Sequence, residues 1–495
     1  MRRARWKAGG VRLGGSLLAL AALACALGAG AGAAPHPVRS LPLIRPPGSG
    51  SKFEDGFEAT LGSADPGRRF TALVDLTEQL DLRSFCRRLD RQATTKSARR
   101  SAVVEALELV ARRQQARLQP TIDALVQDGA LGFVQHIAIV NRLVVEGTPA
   151  ALRSLAARGE VFRIRPDWTS ERAAAGRQAT VDTPATLGAT FPSWAPASMN
   201  ADKLWAHGYD GRGVVVAIID TGAFEGHEQL SGRRVPGDRG WFDPVEGTTV
   251  GTDHHGHGTG VLSQAVGGNP EGRVVGIAPA ARWAAAVGNW RNFYARSRMT
   301  LAADWALRVA RPDVLINAWS HDEGACNDFD RPFIDAWKAS GIFVVFPAGN
   351  GGPAPGSGES PAQLAGILPH GGAVLSVGAL GTDGLADALS SRGPSRCGSS
   401  TFPSLAAPGR DLPIAIPNGP RAYAMGEGTS LSAGLIGGAA ALLLQAAPET
   451  DPDALEQVLI RSSRDVGPPG RDDETGAGEV DLEAALALLL AEPGR

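Results

Sequence analysis

Ser430 stands in GEGTSLSAGLIGGAAALLL, a glycine-bounded turn that runs straight into a small-residue, wholly apolar helical stretch. A serine hydroxyl is a weak nucleophile at neutral pH and needs a neighbouring base and a polarised acceptor. Two upstream segments offer the remaining groups. VVVAIIDTG, residues 214–222, is an unbroken apolar, β-branched run of the kind that forms a parallel strand buried on both faces, and it leads into Asp220. Chemistry in open α/β sheets gathers beyond the carboxyl ends of such strands, so a carboxylate there is positioned by the fold. DHHGHGTGVLSQAVGG then sets His257 between two glycines, just ahead of a predicted helix. A carboxylate, an imidazole and a hydroxyl in these settings suit acyl transfer. Ser430 attacks, His257 moves the proton, and Asp220 orients the imidazole.

DTG at Asp220, HGHGTG around His257 and GTS at Ser430, in that chain order, resemble the motifs of the subtilisin-like serine peptidases, the subtilases. A fourth segment, FVVFPAGN, reads as a second buried strand and ends where the family keeps its oxyanion-hole amide, so the resemblance assigns that role to Asn350. Residues 311–360 resemble one subgroup of the family more particularly. The resemblance implies a three-layer α/β domain with a mainly parallel sheet, serine endopeptidase activity on protein or peptide substrates, and no cofactor for catalysis. It makes His227 a structural histidine. Subtilases often carry structural calcium, but no ligand loop for it stands out in this sequence.

Other readings of the same residues stay open at this stage. Asp253, His254, His255 and His257 have the chemistry of metal ligands, although GHGTG accounts for His257 without one. Asn350, following Gly349, also suits a plain turn. Two departures from the family pattern bear on activity. Gly434 stands where the family usually has proline, and in the segment NAWSHD, residues 317–322, Trp319 and His321 replace smaller residues. Trp319 either narrows the substrate cleft or is buried in the core at a shifted strand end. These departures leave open a catalytically impaired binding or scaffold protein on the same fold.

Around this domain the chain reads as that of an exported, self-restrained protease. Residues 1–34 combine a basic start, a short apolar run and small residues suited to signal-peptide cleavage. Cys25 also offers an alternative lipid-anchor site. Residues 35–66 are rich in Pro, Gly and Ser and read as a linker. Residues 67–168 read as strand, long helix, strand, helix, strand, an order expected to make a ferredoxin-like α+β sandwich. This part resembles the subtilase propeptide inhibitor, which implies that the chain carries its own intramolecular inhibitor. Residues 169–198 have few regular signals, as a cleavable junction should. The peptidase domain is expected over 199–495, its last segment resembling the family's closing helix, with no further C-terminal domain.

The chain has 495 residues and a formal net charge of −2, with basic and acidic residues interspersed, which gives no electrostatic footprint for nucleic acid. No stretch after the leader reads as a permanent membrane span, and a monomer is expected. Of the four cysteines, Cys25 falls in the leader and Cys86 in the propeptide region. Cys326 and Cys397 remain for the mature enzyme, in loop-like segments where export permits a disulfide.

Overall fold

The computed structural model describes residues 41–45, 50–54, 56–92, 95–167, 169–171, 193–268, 272, 274–290, 293–320, 326–364, 374–398 and 401–491. The leader with Cys25, most of the expected junction, and His321 lie outside the described residues.

Val216 and Ile218 turn to one side of their strand and Ala217 and Ile219 to the other, and both sets are fully buried. This two-residue alternation with no polar face is what a strand covered on both sides requires. The strand, Val215–Asp220, lies within a nine-stranded sheet in the order 463–464, 479–480, 405–408, 375–380, 343–347, 314–316, 215–220, 282–287, 241–242. Its neighbours pair in parallel except for the antiparallel pair at the 463–464 edge. From Val215–Asp220 the chain moves to Arg282–Val287 on one side, then crosses to Val314–Ile316 on the other and continues outward. The order therefore reverses beside Asp220, and such a reversal opens a crevice at the carboxyl ends of the strands.

Helices cover both faces, giving the three layers expected. His257–Val266, Thr429–Ala446 and Leu482–Ala491 pack on the side of Val216 and Ile218. Arg296–Trp305 and Arg331–Ala339 pack on the other. Thr429–Ala446 is 18 residues long and apolar enough to cross a membrane by length and composition. It is the buried central helix of this domain, and its Gly437 sits directly over Ile316 of the sheet.

The N-terminal unit has a four-stranded antiparallel sheet in the order 131–137, 142–147, 70–76, 161–166, the arrangement of two interleaved βαβ units. Its helices start where capping chemistry puts them. Thr95 caps Lys96–Gln127 through the Ala98 amide, and Thr148 caps Pro149–Ala156 with proline in the first turn. The stretch expected as one run of strand, 134–147, is divided by a turn at Asn141, whose φ is +37°. Helix Leu82–Asp90, capped by Asp81, has no counterpart in the sequence reading.

One further expectation changes. The described part of the 35–66 linker is folded onto this unit: Leu43–Ile44 pairs with Gln79–Leu80, and helix Phe57–Ser63 buries Phe57 and Leu61. The reason is an edge-to-face aromatic chain, Phe53 to Phe57 to Phe70, which the surrounding Pro, Gly and Ser concealed.

Ala72, Val74, Leu143 and Val145 face the unit's own core, while Leu73 and Val144 on the opposite sheet face join the apolar cluster of the large domain. Polar contacts fix this docking. Asp304 Oδ1 accepts the Ala138 and Ile139 amides at 3.0 and 2.9 Å. Asp167 accepts the Ser297 amide at 2.9 Å and its hydroxyl at 2.7 Å, so the N-terminal unit caps a helix of the large domain.

Candidate active site

Asp220 ends the strand at which the sheet order reverses and is fully buried. Its Oδ1 accepts the Thr221 amide and lies 2.7 Å from His257 Nδ1. With Nδ1–H given to the carboxylate, neutral His257 presents Nε2 as an acceptor. The glycine after His257 allows this approach, since a Cβ at Gly258 would lie 2.1 Å from the Gly222 carbonyl and 3.1 Å from Asp220 Cβ. Thr221 Oγ1 accepts the Gly258 amide at 2.9 Å and ties the helix to the strand end.

Asp253 explains the start of that helix. Its Oδ1 accepts the His255 and Gly256 amides, and its Oδ2 accepts the amide and hydroxyl of Thr259. The Thr259 amide is an orphan donor of the helix N-terminus and the other two amides belong to the turn ahead of it, so Asp253 holds the helix start in place. His254 turns outward to Glu246 at 2.9 Å. Asp253, His254 and His257 are thus engaged with separate partners. Among the described residues no group of three or more His, Cys, Asp or Glu side chains is gathered as a metal would need.

Ser430 is the second residue of helix Thr429–Ala446 and is 3% exposed. Its level relative to His257 follows from helix packing. A Cβ at Gly434 would lie 2.7 Å from the Val261 carbonyl, and one at Gly438 would lie 2.6 Å from the Ala265 carbonyl. Gly434 and Gly438 are four and eight residues beyond Ser430, as Val261 and Ala265 are beyond His257. The two helices therefore run side by side in parallel, and an equal rise per residue brings Ser430 and His257 to the same height. Gly434 and Gly438 are two points at which the helix backbones leave no room for a Cβ. A side chain at 434 would press on the Val261 carbonyl, so this helix contact admits glycine there.

Asn350 follows strand Phe343–Pro347, and its Oδ1 accepts both the amide and the hydroxyl of Thr429 at 2.9 Å. Those two donors fix the amide orientation and leave Nδ2 to the site. Three buried atoms, His257 Nε2, Ser430 Oγ and Asn350 Nδ2, make no hydrogen bond within the described chain, so Nε2 and Oγ are not joined by one here. Buried polar atoms are nearly always paired, and a base, a hydroxyl and an amide donor held without partners suit a reacting group.

Thr429 is a positioning residue that the sequence reading passed over, although it sits in the same GTS motif. Glu359 is another: it accepts the Asn350 amide at 3.1 Å and the Ser320 hydroxyl, and no local signal marks it. Asp253 had one, an aspartate just ahead of a helix start.

Trp319 is fully buried against Phe346, edge to face at 5.4 Å, with Tyr294 at 6.2 Å. It belongs to the core of the sheet face opposite Ser430, so of the two readings the shifted strand end holds. His227 is also buried, its Nε2 2.8 Å from the Ala422 carbonyl and its Nδ1 accepting the Gln229 amide. Burial pushes its pKa down, which fits a neutral, structural ring. Cys326 and Cys397 form a disulfide with Cα atoms 5.2 Å apart, and Cys86 is a buried free thiol.

A separate three-stranded sheet includes the first residues of the expected junction. Phe293–Ala295 pairs with Asn289–Trp290 on one side, and Thr169–Glu171 adds to its other side, antiparallel, with Tyr294 opposite Ser170.

The profile of the subtilase family, peptidase S8, matches residues 211–478. Bacillopeptidase F of Bacillus subtilis is 28% identical over 404 residues, which covers 75% of this chain but only 27% of that protein. Serine protease AprX of Bacillus subtilis is 27% identical over 70% of this chain and 79% of its own length. Subtilisin DY of Bacillus licheniformis is 30% identical over 58% of this chain and 96% of its own length.

Proposed function

The chain belongs to the subtilase family and is a serine endopeptidase, and we propose that it acts through Asp220, His257 and Ser430, with Asn350 in the oxyanion hole, and is made as a precursor restrained by its own N-terminal unit. Ser430 Oγ attacks the scissile carbonyl carbon while His257 Nε2 takes its proton. The same nitrogen then gives that proton to the leaving amine. Asp220 holds Nδ1–H at 2.7 Å and stabilises the imidazolium that forms in between. Asn350 Nδ2 and the Ser430 backbone amide donate to the oxygen as it becomes an anion. A charge present only in the transition state makes such donors act on rate. No step calls for a metal or a cofactor, and every group comes from one chain, in keeping with a monomer.

The observation that carries this reading is the level placement of His257 and Ser430 on adjacent parallel helices, with Nε2, Oγ and Asn350 Nδ2 buried and unpartnered. Protein or peptide substrates would add an extended strand along Phe293–Ala295, by the same backbone pairing that Thr169–Glu171 makes. That pairing supports the N-terminal unit as an intramolecular inhibitor, because on this reading the first residues of the junction 169–198 would take the place of a substrate strand. Self-cleavage within the junction would release it. The leader and the Cys326–Cys397 disulfide favour export.

A fluorophosphonate probe tests the chemistry. Covalent labelling of the processed protein at Ser430, absent in Ser430→Ala, is expected, and no labelling of folded, processed protein would overturn the assignment. Purified Ser430→Ala precursor should stay uncut, and cutting near the junction would rule out self-processing.

A further inference from the structure

One concave and strongly basic feature has no part in the peptidase chemistry. Where the long helix Lys96–Gln127 begins against the large domain, a cavity of about 500 Å³ is lined by Ser97, Arg100 and Ser101 of that helix and by Arg239, Arg308 and Arg311 of the large domain. Its lining includes no carboxylate.

Backbone carbonyls hold three of these guanidinium groups in place. Arg100 donates to the Ser340 and Arg311 carbonyls at 3.3 and 2.8 Å, Arg239 to Ala310 at 3.3 Å, and Arg311 to Arg308 at 2.9 Å. Arg308 is neutralised, by Glu108 and Asp304. Asp313 stands 3.8 Å from Arg100, and among the described residues no carboxylate pairs with Arg239 or Arg311. Arg100 Nη2 is buried and makes no hydrogen bond. Burial holds the Arg100 guanidinium below its ordinary pKa, and the charges of Arg311 and Arg239 push the same way against the pull of Asp313. Arg100 is partly buried while Arg239 and Arg311 stand exposed at the rim, and like charges gathered this closely repel until an anion joins them.

We propose that this cavity binds a multivalent oxyanion of the phosphate class, held by Arg100, Arg239 and Arg311 with the Ser97 and Ser101 hydroxyls as further donors. The guanidinium fork matches phosphoryl oxygens, and several converging forks favour an ion with more than one charge. Because the walls come from both units, the site exists only while the N-terminal unit is docked, and the bound ion bridges the two. A slowing of that unit's release rests on the inhibitor reading above, whereas the binding itself does not.

The test is isothermal titration calorimetry of the full-length Ser430→Ala chain with inorganic phosphate, pyrophosphate and tripolyphosphate, with acetate and chloride as controls. Saturable binding at one site is expected, tighter for the longer ions. Arg239→Gln should weaken it tenfold or more. Ser101→Glu, which introduces a carboxylate from the other wall, should abolish it. Thermal unfolding of each variant without anion checks folding, and Arg311→Gln replaces either one that fails. No saturable binding by any of the three ions, or binding that these variants leave unchanged, would mean adventitious association and overturn the site. Pyrophosphate should also slow processing of the unmutated precursor. Binding without that effect keeps the site and removes its link to release.

Discussion

The backbone carbonyl of Val261 lies directly against Gly434, so close that a Cβ at residue 434 would meet the oxygen at 2.7 Å. This contact sets the spacing of the helices that begin near His257 and Ser430. Gly434→Ala should force them apart. Overpacking of this kind costs about 1–3 kcal/mol, against about 1 kcal/mol gained from alanine's better helix propensity. We expect a small net loss of stability in chemical denaturation and a larger fall in kcat than rise in KM on a peptide substrate. Unchanged kcat would show that helix spacing does not govern the alignment of base and nucleophile.

Thr429 orients Asn350 through its amide and hydroxyl. Asn350→Ala removes the proposed oxyanion donor and should lower kcat by about 10²–10³-fold, with KM little changed. Thr429→Val keeps the backbone donor to Asn350 Oδ1 and deletes the hydroxyl donor. About a tenfold loss of kcat is expected, restored by Thr429→Ser. A loss that serine does not restore would point to packing instead.

Asp304→Ala should loosen the N-terminal unit. The change strips one acceptor from two backbone amides, Ala138 and Ile139, and a partner from Arg308. Leaving buried donors unpaired costs about 1–3 kcal/mol each. In the Ser430→Ala background, amide hydrogen exchange at residues 138 and 139 should accelerate at least tenfold. Unchanged protection there would remove Asp304 from the docking contact.

Asp335 gives the fold a pH dependence. Burial pushes its carboxyl up to about 6, opposed by Arg331 and Lys338, and its Oδ1 is buried without a hydrogen bond. A folded-state pKa above the unfolded one means that the folded protein holds the proton more tightly. Stability from this group is therefore full below the unfolded value, near 3.8, and is lost as pH rises through about 6. Asp335→Asn should raise the thermal midpoint above pH 6 by the equivalent of about 1–2 kcal/mol and flatten its fall between pH 4 and 6. An equal or steeper fall in the variant would contradict this.

The Cys326–Cys397 bridge closes a loop with a sequence separation of 71. Replacing both cysteines by serine should cost about 2–4 kcal/mol in denaturant unfolding. Mass spectrometry of the non-reduced protein should find these cysteines linked, and two free thiols would remove the bridge.

Asp220, His257, Ser430 and Asn350 were legible in the chain because each is marked locally. A buried strand must end in a polar residue, a helix must begin after a break, and glycine allows both at close quarters. The central parallel sheet was legible for the same reason, since Val214 to Ile219 has no polar face to turn to water. What surrounds these residues was not. Phe57 and Leu61 are few among many turn-forming residues, so composition suggested a linker where the tertiary structure finds core.

Sequence alone determined the order of the proposed catalytic groups, the strands and helices that carry them, and the family, all of which rest on short-range pattern. Tertiary structure decided which sheet face Trp319 joins, that Thr429 orients Asn350 across 79 residues of chain, and that Gly434 serves helix contact. It also decided how the N-terminal unit docks and gathers Arg100 beside Arg239 and Arg311. These depend on contacts between residues far apart in the chain. Their energies depend on distance and burial in space, which no local periodicity encodes.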